Sequence, residues 1–362
     1  MLFVIMMISK WEYRGDIMQQ YLDIYVFNRD FGLLGKIESY TSLRWLTLYN
    51  GIGEFELNCA LTKVNYDVLK LGNVVWISDG TGTRTDFAFI NFVEAGRDEM
   101  LVRGMSGEFL LTTRIAPGKV TITNIENDLL SVIRKYTVEN NPIPHFEVEG
   151  SKGFQGTTDV VRYFFQLDEL LSEFPDWGWK VMFDLKKKRY LFYIHKGYDK
   201  SKDVFFSDKL DNFIDYSITH EDVHYKNYAI AAWGKESQKN TIVVEEDRTN
   251  GGERFEMFVD CDDMSVKDPD TTPLEEIKKE LIPKMRTKIQ KAFEKNERIK
   301  TIQGTTLNNI FVYGQDYRIG DLVTCTIKQY NIKLIMRVEE VTETWDSNGY
   351  NVELTLIRKE NI

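Results

Sequence analysis

The residues in this sequence best suited to chemistry are His220, Glu221 and His224, which match the zinc-protease pattern H-E-x-x-H in the stretch HEDVH. In that pattern one helical turn brings both imidazoles to the metal, and the glutamate activates the metal-bound water. The flanking stretches IDYSIT and YKNYAIAAW alternate apolar and polar residues as strands do. Residues four apart in a strand lie about 13 Å apart, too far to share one zinc ion. We therefore predict a strand or loop without metal, and a zinc peptidase is the alternative.

Other candidate sites lack a part that their chemistry needs. The Gly/Thr turn GTGTR at 80–84 is followed neither by Gly-Lys-Ser/Thr nor by a helical pattern, so it does not predict a phosphate loop. The acidic pairs Glu245–Glu246 and Asp262–Asp263 are typical of solvated turns rather than of paired catalytic carboxylates. We therefore predict no catalytic residue, no cofactor and no metal site.

The composition is that of a soluble globular protein with several cores. The 362 residues are 43% hydrophobic and 28% charged, and the 22 Phe and 18 Tyr suit the flat faces of β-sheets. The net charge of -10 argues against a surface that wraps nucleic acid, although an acidic channel past which DNA slides is compatible with it. Cys59, Cys261 and Cys325 are far apart and show no metal spacing, which indicates reduced thiols and synthesis in a cytoplasm.

The first residues, MLFVIMMISK, include an apolar run that is too short to cross a membrane and lacks the features of a signal peptide. We interpret residues 1–18 as an N-terminal extension. It is either leader sequence ahead of a start at Met18, or an additional strand or disordered arm. No later run reaches membrane length, so we expect no stable membrane insertion.

Changes in hydrophobic periodicity divide the chain into three parts. Short alternating strands over 19–115 predict a first β-module, and helical periods followed by a strand pair over 116–203 predict a small α/β module. Strands return over 204–362, a second β-module with a helical insertion at about 273–297 that Pro283 should kink or split. The fold class predicted is α+β and β-rich.

Two strand pairs have strong local signals. The stretches WGWKVMFD and YLFYIH, separated by the basic run LKKKR, predict a hairpin. The stretches NTIVVEED and ERFEMFVD flank Asn250 and Gly251, and Asn-Gly between two strands predicts a second hairpin.

The two β-modules share a motif, KLGNVVWI at 70–77 and RIGDLVTC at 318–325. When Gly72 is aligned with Gly320, the residues 18 and 21 positions further on are aliphatic in both modules. A shared motif followed by matching strand register indicates that one module was duplicated. The alternative is convergence, because glycine followed by Asn or Asp is a common way to enter a strand.

Several stretches, in order, resemble the hub proteins of phage tail tips. They are IYVFNRDFGLLGKIESYTSLRW, GIGEFELNCALT and LKLGNVVWI near the start, DWGWKVMFDLKKKRYLFYIHKGYD in the middle, and GQDYRIGDLVTCTIKQYNIKLIMRVEEVTETWDSNGYNVELTLI near the end. The chain resembles the Tal-type tail proteins of siphophages from about Met18 onward, and more distantly the trimeric baseplate hubs of contractile tails.

The resemblance implies two related β-barrels joined by α/β modules and assembly into a homotrimer. Such a trimer presents six similar barrels, so it can join a hexameric tail tube to a three-fold tip. The partners implied are the tail tube or distal tail protein, tip or receptor-binding proteins and the tape-measure protein, with DNA only in passage. The location implied is the virion tail.

Two departures from the resemblance limit what it implies. The family's Gly-Glu-Gly-rich turn after YKN is replaced by GKESQKN. Many Tal-type proteins also continue into a peptidase or fibre region, which does not follow the second β-module here, so we expect no lytic activity. A carbohydrate-binding module that uses exposed aromatic residues is a third hypothesis.

Overall fold

A computed structural model of the protein describes residues 22–78, 84, 86–234, 241–266, 272–307 and 310–359. The N-terminal extension predicted at 1–18 lies outside the described residues, as does most of the Gly/Thr turn at 80–84. The described residues form a β-rich α+β fold, so the predicted fold class is confirmed at that level.

The strands, numbered in chain order, are β1 (Asp23–Phe27), β2 (Leu33–Ile37), β3 (Tyr40–Leu48), β4 (Glu54–Ala60), β5 (Val74–Ser78), β6 (Phe87–Ala95), β7 (Glu99–Ser106), β8 (Ile115–Asn124), β9 (Phe146–Val148), β10 (Thr157–Gln166), β11 (Gly178–Asp184), β12 (Arg189–His195), β13 (Phe205–Ser207), β14 (Phe213–Glu221), β15 (Tyr228–Trp233), β16 (Ile242–Asp247), β17 (Glu256–Asp260), β18 (Ile299–Thr306), β19 (Leu322–Ile327), β20 (Ile332–Asp346) and β21 (Gly349–Lys359).

The α-helices are α1 (Lys63–Val68), α2 (Ile125–Arg134), α3 (Leu167–Ser172) and α4 (Leu274–Lys295). Within the described ranges, none of them is long and apolar enough to cross a membrane.

The chain divides into two compact units. The first unit contains residues 1–156, 161–217 and 303–356, and the second unit contains residues 157–160, 218–302 and 357–362. The chain leaves the first unit within β14 and returns to it within β18. The helical insertion expected at about 273–297 is therefore one part of a larger unit that has its own sheet.

The largest sheet has thirteen strands, and both β-modules contribute to it. Its main path runs β14-β18-β21-β20-β3-β4-β7-β6-β5-β1-β2, and β13 joins through β19. Alternating side chains of β3 pack inward, so Leu43 and Trp45 enter a core with Leu57 and Val102. The described strand pairs do not close either module into a barrel, and the barrel form of each module stays a prediction.

The two β-modules have the same strand order within this sheet. The first runs β1-β5-β6-β7-β4-β3, and the second runs β13-β19-β20-β21-β18-β14. Matched strands also follow each other in the same order along the chain. Two differences lie within the sheet: β1 is antiparallel to β5 whereas β13 is parallel to β19, and β2 extends only the first module.

The α/β module is built around the predicted basic hairpin. Strands β11 and β12 are antiparallel, with Asp184 opposite Arg189 at the turn, so this hairpin is confirmed. Strand β9 adds to β12 in parallel. Phe183 and Tyr190 carry aromatic rings from the hairpin onto Phe31 and Phe87 of the first β-module.

The second unit packs α4 on a three-stranded sheet. Every fourth residue of the helix is apolar and buried, namely Ile277, Leu281, Met285, Ile289 and Phe293. These side chains pack on the inward residues of the sheet, and lysines on the other faces form ion pairs such as Lys284–Glu280. The helix continues through Pro283, so it is not split there, and the alternative of a kink at this residue stays a prediction. The packed apolar stripe holds both sides of the proline in one helix.

The hairpin predicted around Asn250 and Gly251 is also wrong. Both residues have the positive φ values that such a turn needs, +50° and +81°. However, β16 and β17 do not pair with each other, because β15 lies between them. Strand β16 is antiparallel to β15, and β17 is parallel to it.

Candidate functional site

The turn that precedes β5 in the first β-module recurs before β19 in the second. Gly72 and Gly320 have φ values of +84° and +87°, in the left-handed region that favours glycine. The Gly72 amide donates to the Ile90 carbonyl at 2.8 Å, and the Gly320 amide donates to the Val338 carbonyl at 2.8 Å. Both acceptors lie 18 residues after their glycine, as the sequence alignment predicted.

The strands after the two turns pair in the same register. Val74 lies opposite Phe89, and Leu322 lies opposite Arg337. Each residue of the second pair is 248 positions after its counterpart (322 − 74 and 337 − 89), which is also the spacing between the two glycines (320 − 72). A turn of the same geometry followed by the same pairing register supports duplication of the module over convergence on a common dipeptide.

The surroundings of the two glycines differ. A Cβ on Gly72 would lie 3.5 Å from the guanidinium of Arg29, an ordinary contact with a flexible side chain. A Cβ on Gly320 would lie 2.4 Å from the ring of Tyr49, closer than real Cβ atoms come. The turn of the second module is therefore packed against the first module.

Tyr49 joins three parts of the first unit. It follows β3, and its ring lies close to Gly320 of the second module and to Gly178 of the α/β module, where a Cβ would also come within 2.4 Å. Its hydroxyl donates to the Asp176 carbonyl at 3.2 Å, and the Arg337 guanidinium lies 4.8 Å from its ring centre. Burial raises the pKa of Tyr49. Only glycine leaves room for this ring on both sides.

A buried ion pair joins the same two modules at a second place. Arg84 lies between β5 and β6, and its Nη1 donates to Glu343 Oε1 of β20 at 3.1 Å. Asp86 pairs with the same guanidinium at 2.9 Å, and Tyr350 donates to Glu343 at 2.7 Å. The Glu343 side chain is 1% exposed and the Arg84 side chain 10%. The Trp345 ring packs on Arg84, with its centre 5.3 Å from the guanidinium.

The carboxylates of this cluster keep the guanidinium of Arg84 charged despite its burial. Burial alone lowers the pKa of Arg84, but the carboxylates of Glu343 and Asp86 outweigh that effect and raise it above its ordinary value. Burial raises the pKa of Tyr350, and the Glu343 charge raises it further. The cluster can therefore hold the modules in one arrangement, and its tyrosine is not set up to lose a proton.

The residues of the HEDVH stretch are not arranged to bind zinc. His220 and Glu221 end strand β14, and His224 lies in the turn that follows, so the helix that the zinc motif needs is not there. All three side chains are exposed. Within the described part of the chain, no group of three His, Cys, Asp or Glu side chains is placed to hold a metal ion. The absence of metal stays a prediction.

The other residues considered as sites are placed as follows. Glu245 and Glu246 lie on strand β16, so their assignment to a turn is wrong, and Glu245 accepts a hydrogen bond from Tyr228. Asp262 and Asp263 do lie in a turn. The thiols of Cys59, Cys261 and Cys325 are buried and unpaired, and burial raises the pKa of each.

Sequence reasoning missed the residues that join the modules. Arg84 and Glu343 are 259 positions apart, and no local pattern marks either of them. Tyr49 follows an alternating strand, and its glycine neighbours are 129 and 271 positions further on (178 − 49 and 320 − 49). The one available signal was Gly320, which the repeated motif had already identified as a turn.

The two glycines offer a matched pair of substitutions. We expect Gly72→Ala to cost about 1–2 kcal/mol of unfolding free energy, because alanine is strained at positive φ. Gly320→Ala has the same strain, and its Cβ also displaces Tyr49, so we expect a further loss of about 1–3 kcal/mol. Urea unfolding of both variants, followed by tryptophan fluorescence, measures the difference. Equal losses would contradict the packing of Tyr49 on Gly320.

We expect His195, whose ring lies beside that of Tyr49, to make the stability of the protein depend on pH. Burial, with the charges of Lys180 and Lys152, lowers the pKa of His195 below its ordinary 6.5. As the pH falls through 6.5, His195 therefore binds a proton in the unfolded chain but stays neutral in the folded chain. We expect stability to fall by about 1 kcal/mol between pH 6.5 and 5.5 from this residue. His195→Asn should flatten the curve in that window, and an unchanged slope in urea titrations would contradict this.

Comparisons with known proteins agree with the fold described above. A family model described as Siphovirus ReqiPepy6 Gp37-like protein matches residues 23–356. No curated protein sequence matches. Among solved structures, the tail protein from Neisseria meningitidis MC58 is 12% identical with a TM-score of 0.58, over 94% of this chain and 97% of that one.

Two prophage proteins have similar structures. The 43 kDa tail protein of prophage MuSo2 from Shewanella oneidensis is 11% identical with a TM-score of 0.60, over 93% of this chain and 98% of that one. The tail protein gp18 from Listeria monocytogenes EGD-e is 14% identical with a TM-score of 0.55, over 92% and 94%. At these identities the likeness establishes a shared fold.

Proposed function

This chain belongs to the Siphovirus ReqiPepy6 Gp37-like family of phage tail proteins, and we propose that it is the structural hub of a tail tip. In this proposal three copies form a ring at the end of the tail tube. The ring joins the tube, through a distal tail protein, to the tip or receptor-binding proteins. It leaves a channel for the tape-measure protein and for DNA in passage.

The repeated β-module is the observation that carries this proposal. The modules share the turn geometry of Gly72 and Gly320, the register of the strands that follow, and the strand order in the sheet. A three-fold ring of such chains contains six similar modules, which suits contact with a six-fold tube on one side and a three-fold tip on the other. We propose that each module completes a β-barrel in that ring.

The contacts between the modules suit a protein that must stay rigid under force. Tyr49 wedges between Gly178 and Gly320, and the buried pair Arg84–Glu343 fixes β20 against the loop before β6. Both depend on close packing, so relative movement of the modules would break contacts that water cannot replace. A ring that transmits force from the tip to the tube requires such rigidity.

The net charge of -10 suits a channel protein that DNA passes without binding. Among the described residues, no group of three His, Cys, Asp or Glu side chains is placed to hold a metal ion, and we propose that the protein is not an enzyme. The alternative is a cell-wall peptidase with zinc at His220, Glu221 and His224. The strand and turn that hold these three residues speak against it.

Imaging of the assembled virion tests the hub. We expect three copies of the chain in a ring at the distal end of the tail tube, and a six-fold or two-fold arrangement would overturn the symmetry-adaptor mechanism. Metal analysis of the purified protein, with zymography on host cell walls, tests the alternative separately. We expect no zinc and no lysis. One zinc per chain together with lysis would replace the hub with the peptidase.

A further inference from the structure

We propose that strand β14 of one subunit pairs antiparallel with residues 91–95 of strand β6 in the next subunit, so that the large sheet continues around the ring. This inference rests on the proposed hub, whose three copies supply the neighbours. It commits the open sheet edges to a second copy of this chain.

Within the chain, β3 pairs with the part of β20 that β19 leaves unpaired. The first part of β20 pairs with β19, from Ile332 opposite Ile327 to Arg337 opposite Leu322. β19 begins at Leu322, just after the turn at Gly320, so it offers no partner to the residues of β20 beyond Arg337. Residues 340–345 of β20 then pair with residues 48–43 of β3, antiparallel and in register. The first module is joined to the second by these backbone hydrogen bonds.

Strand β6 of the first module also has two parts. Among the described strands, its first part pairs with β5 and β7, and its second part pairs with β7 alone. Residues 87–89 pair with β5, as the start of β20 pairs with β19. Residues 92–95 pair with β7, and no described strand pairs with them on the side that β5 has left. Asn91, Phe92, Glu94 and Ala95 are exposed, and the Phe92 side chain is 40% exposed. This edge corresponds to the part of β20 that β3 covers.

Strand β14 of the second module corresponds to β3 and is also unpaired on one side. β3 and β14 each have nine residues, and each lies beyond the matched strands β4 and β18 in the sheet. β3 has two neighbours, β4 and β20. β14 lies at the end of the described path, where β18 is its one neighbour. Tyr216 and Ile218 are only half-buried, whereas their counterparts in β3, Leu43 and Trp45, are buried in the core.

The open edge of β14 and the open edge of β6 therefore correspond to β3 and β20, the two strands of the internal contact. Each chain makes the β3–β20 contact once internally and exposes an unused edge of the same kind at each end. An unpaired edge strand invites further pairing, and a head-to-tail contact closes into a ring when its rotation allows. Pairing β14 with β6 of the next copy repeats the internal contact three times more and makes all six module contacts alike.

The internal contact also supplies the register. Leu46 of β3 lies opposite Thr342 of β20. When the nine residues of β14 are matched in order to those of β3, Thr219 takes the place of Leu46. When β6 is matched to β20 with the spacing of 248, Glu94 takes the place of Thr342. Thr219 then lies opposite Glu94 of the next subunit. Both side chains are exposed in the single chain. Directly opposed residues have Cα atoms about 4.5–5.5 Å apart, within the reach of a disulfide.

Cysteine cross-linking in assembled tails tests this pairing. Tails that carry Thr219→Cys and Glu94→Cys in the same chain should give, after mild oxidation, a covalent trimer of three times 42.4 kDa, about 127 kDa. Either substitution alone should leave the chain monomeric on a denaturing gel, because the natural cysteines are buried. Thr219→Cys with Ala95→Cys is the matched control. Ala95 faces the other side of the strand, and we expect little cross-linking.

Failure of this inference can be distinguished from failure of the hub. A three-copy ring that yields no more cross-link with Glu94→Cys than with the Ala95→Cys control would overturn the pairing and leave the hub standing. If the double variant does not assemble, a map of the wild-type ring decides instead. The two strands should then run about 4.8 Å apart across the subunit boundary, and strands separated by side chains would overturn the pairing. Images without a three-copy ring would overturn both proposals.

Discussion

Replacing Arg84 with methionine is expected to destabilise the first unit by about 3–5 kcal/mol, because it leaves the buried carboxylate of Glu343 without its cation. Glu343 is 1% exposed, so water cannot take the place of the guanidinium. Tyr350 still donates to the carboxylate, and Asp86 nearby adds a second negative charge. The measurement is urea unfolding at pH 7, followed by the fluorescence of Trp345 and the other tryptophans. A loss below about 1 kcal/mol would contradict the burial of this pair.

Two controls separate the ion pair from simple loss of packing. Arg44→Met removes an arginine of the pair Arg44–Glu54, whose side chains are about half exposed, and we expect a change within about 1 kcal/mol. Adding Glu343→Leu to Arg84→Met removes the stranded charge, and the double variant should recover most of the loss. Additive losses from the two substitutions would mean that the residues act independently.

Replacing Tyr49 with alanine is expected to cost about 3–5 kcal/mol, because a large buried ring is removed from a site that rigid backbone surrounds. Gly178 and Gly320 contact the ring on two sides and have no side chains with which to fill the cavity. The loss should be seen in thermal unfolding as a lower Tm. It should also weaken assembly of the ring, since the cavity lies where the second β-module meets the first.

The matched control is Tyr49→Phe, which keeps the ring and removes the hydroxyl. The hydroxyl donates to the Asp176 carbonyl at 3.2 Å, so we expect a loss of about 0.5–1.5 kcal/mol. Losses of equal size for the two substitutions would contradict the packing role of the Tyr49 ring, because they would assign the whole effect to one hydrogen bond. Unchanged stability in Tyr49→Ala would contradict it outright.

For the repeated turn, the HEDVH stretch and the helix near 273–297, the residues along the chain were sufficient. Gly72 and Gly320 were identified as equivalent turns from the shared motif around them and from the aliphatic residues 18 and 21 positions later, and their positive φ values agree with that. The stretch HEDVH was assigned to a strand and loop because its flanks alternate. The helix predicted at about 273–297, with proline at its first turn and lysines later, is α4 at Leu274–Lys295.

The tertiary structure decided which distant segments meet. Asn250 and Gly251 have the turn geometry that their types favour, yet β15 separates the two strands that the turn connects, because burial against α4 outweighs one local turn. Helix α4 continues through Pro283 because buried residues on both sides of the proline pack on the sheet. The contact of Arg84 with Glu343 and the fit of Tyr49 between two glycines depend on backbone positions far apart in the chain. The sequence by itself therefore determined the repeated turn and the β-rich modules, and only the folded chain decided how the modules join and which edges remain open.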